Sequence, residues 1–311
     1  MAVYTSLTFV QINGFLKTYQ LGPLLSYQGI TAGIENTNYY IKTEQGEFVL
    51  TLYEQFTAEQ VWPYLQLLKK LSLLESYYPS PIATPEQVIL QTLNARPAAL
   101  FSCLSGVSVS DVSDTQLSAM ARALAGLHAS SAELSFNPKN TRGLEWMQQS
   151  ADALYSSLSL ADAQLLKDEL QFQAKLQEAG LEEGVIHADL FKDNVLFNGD
   201  CLSGFLDFYV ACYDHFLLDI AITLNDWCVD QQGQFNSRQS ALFIQAYQQK
   251  KRLRDEELQQ LRPFLRRASL RFWLSRLEHQ MNPRPGEIAL KKSPEKFRDL
   301  LIQHRAAPAF L

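Results

Sequence analysis

The chain has 311 residues, of which 47% are hydrophobic, so it can bury a large core in one or two domains. Its formal net charge of −6 at pH 7 argues against a nucleic-acid partner, which would need a basic patch. The four cysteines are scattered and form no Cys-x-x-Cys pair, which indicates reduced thiols and gives no zinc signature.

The beginning of the chain gives no targeting signal. The N-terminal region has no basic residue before Lys17 and no long apolar run, so we expect no signal peptide. No stretch of the sequence approaches the length of a membrane span. These features predict a soluble, cytoplasmic protein without a membrane partner.

The first hundred residues predict a small β-sheet with helices. Residues 9–16 favour a short helix, and residues 39–41 and 48–50 are strand-forming runs around a turn at 44–47. Apolar residues at helical spacing predict a helix over 58–74. Residues 88–90 and 98–104 predict two further strands. Before the first hairpin, residues 29–38 contain glycines and small polar residues whose N–H groups can face phosphate oxygens, although a surface turn is the alternative.

The later part of the chain is mainly helical. Ser113 and Gln116 form a predicted capping box for a helix over 113–128, and His128 at its end is expected to be a cap or core residue. Leucines at helical spacing predict a helix over 151–179 with a break near 159–162. We expect His215 to be a surface loop residue.

The most informative stretch runs from residue 185 to residue 209. Two apolar runs, 195–197 and 202–206, flank Asn198-Gly199-Asp200. Because Asn and Gly accept the positive φ of tight turns, this pattern predicts a β-hairpin. We expect the hairpin to gather the oxygen-bearing side chains of Asp189, Asn194 and Asp207 at one end.

The spacing in this stretch matches a kinase catalytic loop. Such a loop has the form His-x-Asp-x-x-x-x-Asn and is followed by a strand that ends in a metal-binding Asp. His187, Asp189 and Asn194 have this spacing, and Asp207 follows at hairpin distance. The alternative is that the carboxylates are solvated and His187 is a core residue. Four positions in register around one hairpin favour the kinase pattern.

Residues 187–190, Asn194 and residues 206–208 resemble the catalytic segment of the aminoglycoside phosphotransferase and choline kinase superfamily. More narrowly, five stretches resemble the homoserine kinases of that superfamily, namely 33–39, 46–54, 187–197, 224–228 and 270–277. The resemblance implies an α+β, protein-kinase-like fold with two lobes. Residues 1–101 would form a nucleotide-binding lobe with a small antiparallel sheet and a helix. Residues 102–311 would form a larger helical lobe that carries the catalytic hairpin and the substrate site.

The resemblance also implies a mechanism that uses ATP and Mg²⁺. Asp189 would accept the proton of the substrate hydroxyl, and Asn194 and Asp207 would hold the metal ion. His187 would maintain the geometry of the loop. Lys192 would contact the γ-phosphate, or it would be a solvated loop lysine. The reaction expected from the family is phosphorylation of L-homoserine to O-phospho-L-homoserine in threonine biosynthesis.

The strand that carries a phosphate-binding Lys in protein kinases has Thr51 at the corresponding position. A four-residue turn would place Tyr40 across from Thr51 and Lys42 one diagonal step away. Lys42 would then reach the phosphates, or it would be a solvated strand residue. We expect further nucleotide contacts from the glycine-containing segment, namely Gly33, Asn36 and Asn38. The resemblance to the family implies a hinge whose backbone binds adenine at Ser102 and Leu104.

A zwitterionic acceptor such as homoserine needs an acid for its ammonium group and an Arg for its carboxylate. The candidates near the expected cleft are Asp226, Trp227, Arg271, Arg276 and Arg142, and each of them is also compatible with a surface or packing role. Arg271 and Arg276 are expected on an exposed polar edge of a helix. The resemblance assigns Asp219, in an Asp-Ile-Ala tripeptide, to bracing the catalytic loop.

Two alternative functions stay open at this point. The acceptor would be another small alcohol, of the choline, ethanolamine or aminoglycoside type, if the superfamily is right and the narrower resemblance is not. The replacement of the strand Lys by Thr51 raises the second alternative, an ATP-binding pseudokinase module. The joint presence of His187, Asp189, Asn194 and Asp207 argues against that module.

Overall fold

The computed structural model describes residues 4–31, 36–281 and 293–307. These residues form two compact units. The first unit contains the described residues up to Val107 together with Ser203–Tyr209, and the second contains the other described residues. The division thus lies at 107/108, beside the predicted 101/102, and the segment that carries Asp207 belongs to the first unit.

The first unit is built on an antiparallel five-stranded sheet in the order β1-β2-β3-β5-β4. Its strands are β1 (Leu24–Ile30), β2 (Thr37–Thr43), β3 (Gly46–Leu52), β4 (Gln91–Leu93) and β5 (Arg96–Ser102). Two helices accompany the sheet, α1 (Phe9–Leu16) and α2 (Ala58–Leu74), and both have the predicted bounds. Each helix begins at a capping box, Thr8 with Gln11 in α1 and Thr57 with Gln60 in α2.

Burial explains which face of each element turns inward. In α2 the buried residues Val61, Leu65, Leu68 and Leu71 recur at helical spacing. The side chains of α1 that point inward join buried residues of β2, β3 and β5 in one apolar core. Removing this apolar surface from water is the main stabilisation of such a unit.

Two strand predictions in this unit were wrong. The β2–β3 turn has only two residues, because Gly46 has a φ of +149° and already pairs with Thr43. Tyr40 therefore faces Val49, not Thr51. The strand predicted at 88–90 lies at 91–93, because a tight turn at Asn94 and Ala95, both with positive φ, sets the position of β4.

The second unit is mainly helical. Its helices are α3 (Asp114–Ser130), α4 (Leu144–Leu154), α5 (Leu160–Gln173), α6 (Phe216–Trp227), α7 (Ser237–Gln248), α8 (Asp255–Met281) and α9 (Glu295–Ala306). The capping box of α3 at Ser113 and Gln116 is present as predicted. The predicted break near residue 159 is the start of α5, where Ser159 is the N-cap. The helical region itself starts and ends earlier than predicted, at 144 and 173.

Two short antiparallel pairs of strands complete the fold. The strand β6 (Glu183–Ile186) pairs with β9 (Cys212–His215). The strands β7 (Val195–Asn198) and β8 (Cys201–Phe205) form the predicted hairpin, with Gly199 at a φ of +59° in its turn. Among the described residues, no helix combines the length and the apolar character that crossing a membrane requires.

Candidate active site

The predicted catalytic loop, residues 187–194, starts where β6 ends. Ile186 pairs with Cys212 of β9, and His187 follows it directly. Ala188 has a φ of +65°, which is unfavourable for a residue with a side chain. A short 3-10 turn at Lys192–Asn194 then leads into β7. The strand pair thus fixes the origin of the loop, while its unusual backbone needs further support.

Asp219 of α6 provides this support. Its Oδ2 accepts the backbone N–H of His187 at 2.7 Å, and its Oδ1 accepts that of Ala188 at 2.8 Å. Its carboxylate is fully buried. Burial alone would raise the pKa of Asp219, but the hydrogen bonds with His128 and with the backbone N–H of His187 outweigh burial and hold that pKa below its usual value. The bracing role implied for Asp219 agrees with these contacts.

Asp219 is in turn hydrogen-bonded to a buried histidine of another helix. His128 of α3 is buried, with its Nε2 3.2 Å from Asp219 Oδ2 and its Nδ1 2.7 Å from the hydroxyl of Tyr247 in α7. Burial lowers the pKa of His128, so the ring is held as the neutral imidazole. Three helices of the second unit are therefore connected to the catalytic loop through one carboxylate.

Asp189 and Asn194 are brought together within the loop. The side-chain amide nitrogen of Asn194 donates to the backbone oxygen of Asp189 at 2.8 Å and to its Oδ2 at 3.1 Å. The backbone N–H of Asp189 donates to Nδ1 of His187 at 3.3 Å. Because the amide nitrogen of Asn194 faces Asp189, its amide oxygen is the group that remains for a hard cation.

Asp226 and Trp227 support the loop, although the sequence suggested that they bind substrate. Asp226 Oδ2 accepts the backbone N–H of Lys192 at 2.9 Å, and its Oδ1 accepts Nζ of Lys296 at 2.8 Å. The indole N–H of Trp227 donates to the carbonyl of Leu190 at 3.0 Å. Both carboxylate oxygens of Asp226 and the only polar atom of the indole are therefore engaged inside the second unit.

Two of the three predicted acceptor-binding arginines have partners of their own. Arg142 Nη1 lies 3.4 Å from Oγ of Ser275. Arg276 Nη1 donates to the carbonyl of Ser293 at 2.8 Å, and its guanidinium lies 4.2 Å from the centre of the Phe297 ring. These contacts attach both side chains to neighbouring elements of the second unit.

Arg271 differs from the other two. The sequence placed it on an exposed edge, but the structure buries it in α8 with only 4% of its surface exposed. Its Nη1 is buried and has no hydrogen-bond partner among the described residues. Burial lowers the pKa of Arg271, and the nearby Cys212 and Asp189 act in the opposite direction.

In the first unit, Thr51 belongs to a neutral network. Thr51 pairs with Asn38 across the sheet, and its hydroxyl donates to Asn38 Oδ1 at 2.7 Å. Lys42 pairs with Glu47 instead, 3.0 Å from its carboxylate, close to the hairpin turn. The predicted juxtaposition of Lys42 and Thr51 is therefore wrong, because the turn is two residues shorter than expected.

The network continues to the segment after β8. Tyr53 lies two residues after Thr51, and its hydroxyl donates to that of Tyr209 at 3.0 Å. Desolvation raises the pKa of Tyr53 well above its usual value, so this hydroxyl stays protonated. Asp207, two residues before Tyr209, has a φ of +61°. Sequence patterns did not indicate this network, since Tyr209 is far from Thr51 and Tyr53 in the chain.

The other predicted nucleotide contacts have different outcomes. Gly33 lies outside the described residues. Asn36 is buried, with no hydrogen-bond partner for its Oδ1 among the described residues. Ser102 exchanges hydrogen bonds with Ser80, which accepts its backbone N–H at 2.9 Å and donates to its Oγ at 2.9 Å. That N–H is therefore engaged within the first unit, while Leu104 follows the end of β5.

The fold and the loop define a phosphotransferase. Residues 26–264 match the model of the family described as the phosphotransferase enzyme family. The chain belongs to this family. The predicted class of small-molecule kinase is confirmed.

Two relatives match nearly the full length of the chain. The chain is 39% identical over 307 residues to the homoserine kinase of Methylobacillus flagellatus, covering 99% of this chain and 96% of that protein. It is 41% identical over 312 residues to the homoserine kinase of Methylobacterium nodulans, covering 98% and 96%. The predicted resemblance to homoserine kinases is confirmed.

A solved structure supports the fold. The spectinomycin phosphotransferase determined in complex with ADP and spectinomycin superposes with a TM-score of 0.73, covering 97% of this chain and 99% of that one. The two sequences are 14% identical, so the likeness concerns the fold alone. The predicted α+β, protein-kinase-like fold is confirmed.

Proposed function

We propose that this protein is an ATP-dependent homoserine kinase, which forms O-phospho-L-homoserine for threonine biosynthesis. The observation that carries the proposal is the set of relatives named homoserine kinase, 36–41% identical over 98–100% of the chain. The braced catalytic loop supports the chemistry. The use of ATP and the reduced state of the four cysteines favour the cytoplasm as its location.

Asp189 is the proposed acceptor of the hydroxyl proton. The acceptor oxygen forms a bond to the γ-phosphorus, the bond from that phosphorus to the β–γ bridging oxygen breaks, and the proton passes to the Asp189 carboxylate. Phosphoryl transfer depends mainly on positioning and charge neutralisation. The hydrogen bond from Asn194 to Asp189 Oδ2 at 3.1 Å supports this assignment, because it fixes the orientation of the carboxylate. His187 contributes by holding the backbone of the loop.

Asn194 and Asp207 are the proposed ligands of Mg²⁺. Each offers a hard oxygen, and the amide orientation of Asn194 suits this role. Bound Mg²⁺ would neutralise charge on the phosphates. For Asp207 the support is its place in the sequence, since it follows the hairpin at the position where the kinase pattern has its metal-binding Asp.

The proposed nucleotide site in the first unit is Gly33, Asn36, Asn38, Thr51 and the backbone at Leu104. Lys42 and Ser102 contribute less than the sequence suggested, because each is bonded inside the first unit. Lys192 remains a proposed phosphate contact. Its Nζ lies 3.5 Å from the carbonyl of Ser110, a weak contact that a phosphate would replace.

A coupled assay of ADP release tests the function. The purified chain is supplied with ATP, Mg²⁺ and one acceptor at a time, namely L-homoserine, choline, ethanolamine or an aminoglycoside. We expect turnover with L-homoserine and the product O-phospho-L-homoserine by phosphorus NMR. Turnover with another acceptor only would show a different alcohol kinase. ATP binding without any turnover would support the pseudokinase alternative that Thr51 raises.

A further inference from the structure

We infer that Arg271 binds the carboxylate of the acceptor, so that the enzyme selects alcohols that carry a carboxylate group. The inference deepens the proposed function and rests on the catalytic loop being a kinase site. It assigns one particular side chain to substrate selection.

The first support is that Arg271 is a buried cation with no hydrogen-bond or ion-pair partner in the described part of the chain. Among the described residues, no hydrogen bond or ion pair joins its guanidinium to another group, and its Nη1 is buried and unsatisfied. Two neighbouring arginines of α8 differ. Arg266 is bonded to Glu169, and Arg267 is bonded to Gln173 and Glu178. An unpaired buried charge strongly destabilises a fold. Arg271 is therefore the arginine of this helix whose charge an anionic ligand would neutralise.

The second support is the position of Arg271 beside the catalytic loop. The groups close enough to influence its guanidinium include the carboxylate of Asp189 and the thiol of Cys212. Cys212 is the strand partner of Ile186, the last residue before the loop. The next residue of α8, Phe272, contacts Phe191 of the loop with ring centres 4.7 Å apart. An acceptor whose hydroxyl contacts Asp189 therefore lies near the guanidinium of Arg271.

The third support is chemical. A guanidinium offers parallel N–H donors in a fork, which matches the two oxygens of a carboxylate. A phosphate would match the same fork, so the experiment must separate the acceptor from the nucleotide. We commit to the acceptor because the relatives named homoserine kinase carry a hydroxy amino acid in their name.

The test compares L-homoserine with 3-amino-1-propanol, which is the same molecule without its carboxylate. Arg271→Met and Arg271→Lys are measured beside Arg238→Met. Arg238 has 72% of its side chain exposed and is ion-paired to Asp114, which makes it a surface control. Initial rates give kcat and KM for each acceptor and for ATP.

For the wild type, we expect kcat/KM to be about 100-fold higher with homoserine than with 3-amino-1-propanol. Arg271→Met should lower kcat/KM for homoserine by about 100-fold, mainly through KM, because a charged hydrogen-bond partner is lost. The value for 3-amino-1-propanol should stay within about threefold, and Arg271→Lys should be intermediate. Arg238→Met should behave as the wild type.

Equal losses for both acceptors would show a structural role and overturn the inference, and so would a rise in the KM of ATP alone. If the wild type rejects homoserine but phosphorylates another hydroxy acid, such as 4-hydroxybutanoate, the proposed function fails and the inference stands. If it prefers alcohols without a carboxylate, the inference fails. If no acceptor reacts, the binding of homoserine in the presence of MgADP is measured by calorimetry. Binding by the wild type that is lost in Arg271→Met supports the inference. Binding that is absent from the wild type, or unchanged in the variant, refutes it. If Arg271→Met does not fold by circular dichroism, the acceptor ratio of Arg271→Lys decides.

Discussion

The carboxylate of Asp219 accepts the backbone N–H of His187 at 2.7 Å, inside the second unit and away from solvent. Its second oxygen holds the N–H of Ala188, the residue with positive φ. Positive φ at a residue other than glycine persists when the surroundings enforce it. The conformation of the loop is therefore imposed by α6 and is not a local preference of the loop sequence.

Asp219→Asn should reduce both stability and turnover. An amide offers one acceptor oxygen in place of two, so one loop N–H faces an NH₂ group and loses its partner. Hydrogen bonds to a charged group contribute roughly 1.5–3 kcal/mol, and we expect a loss of about that size in the free energy of unfolding. Urea unfolding measures the stability, and ADP release measures the turnover. Unchanged values in both measurements would show that the loop holds its own shape.

Asp189→Asn should remove turnover and leave nucleotide binding intact. A general base contributes about 10²–10⁴-fold to a rate, so we expect kcat to fall by at least about 100-fold. The dissociation constant of ATP should change by less than about threefold, because the charge that is removed serves the acceptor. Asp152→Asn on the exposed side of α4 is the control. Near-normal turnover of the Asp189 variant would overturn its role as base.

Asp207→Ala should weaken nucleotide binding only when Mg²⁺ is present. The variant loses a hard oxygen ligand and keeps its backbone contacts. Fluorescence titration with an ATP analogue, in Mg²⁺ and then in EDTA, separates the two contributions. We expect the wild type to gain affinity from Mg²⁺ and the variant to gain little. An equal gain in both proteins would exclude Asp207 as a ligand.

Gly184→Ala should destabilise the strand that leads into the catalytic loop. A Cβ at this position in β6 would lie 2.5 Å from the ring of Phe216 and would also collide with Oγ of Ser131. Overpacking of this kind costs about 1–3 kcal/mol. Gly14→Ala in α1 is the matched control, since nothing lies within 4 Å of its added Cβ. There we expect a gain of about 0.5–1 kcal/mol in the free energy of unfolding.

The ion pair of His215 with Glu178 should make stability depend on pH. Burial alone would lower the pKa of His215, but Glu178, 3.0 Å away, and neighbouring carboxylates raise it above 6.5. Burial alone would raise the pKa of Glu178, but His215 and Arg267 outweigh burial and lower it to about 2. The stability from charged His215 is complete below its unfolded pKa and is lost as the pH rises through its folded pKa.

Glu178→Gln should therefore cost more stability at pH 6 than at pH 9. Part of the cost remains at pH 9, because Arg267 is still charged there. Urea unfolding at the two pH values gives the comparison. Glu86→Gln at an exposed position is the control. A cost that does not change with pH would show that His215 is neutral in the folded protein.

Sequence patterns predicted correctly the features of the fold that depend on local interactions. The bounds of α1 and α2 follow from caps and apolar spacing, and the hairpin after the catalytic loop follows from its turn residues. The failures involve contacts between distant residues. His215 was expected in a surface loop, yet it is buried against Glu178. Arg271 looked like part of an exposed edge, because helical spacing does not show which neighbouring elements cover a face.

The same distinction between local and distant contacts applies to the candidate site. The spacing of His187, Asp189 and Asn194 identifies the loop, and two of its contacts lie within it. The partners His128 and Tyr247 could not be found in this way, since nothing in their local sequence differs from ordinary helix residues. The side chain of Asp226, which the sequence suggested as a ligand contact, accepts hydrogen bonds from Lys192 of the loop and from Lys296, and the sequence pattern indicated neither bond.

The bond between Asp226 and Lys296 has a consequence for biosynthesis. A chain emerging from the ribosome contains Asp226 and Lys192 well before Lys296 has been added, so this largely buried carboxylate first lacks its cationic partner. Burying an unpaired charge is unfavourable. The final ordering of the segment around Lys192 should therefore wait until translation has passed residue 296, which makes maturation of the active site a late event in the life of the nascent polypeptide.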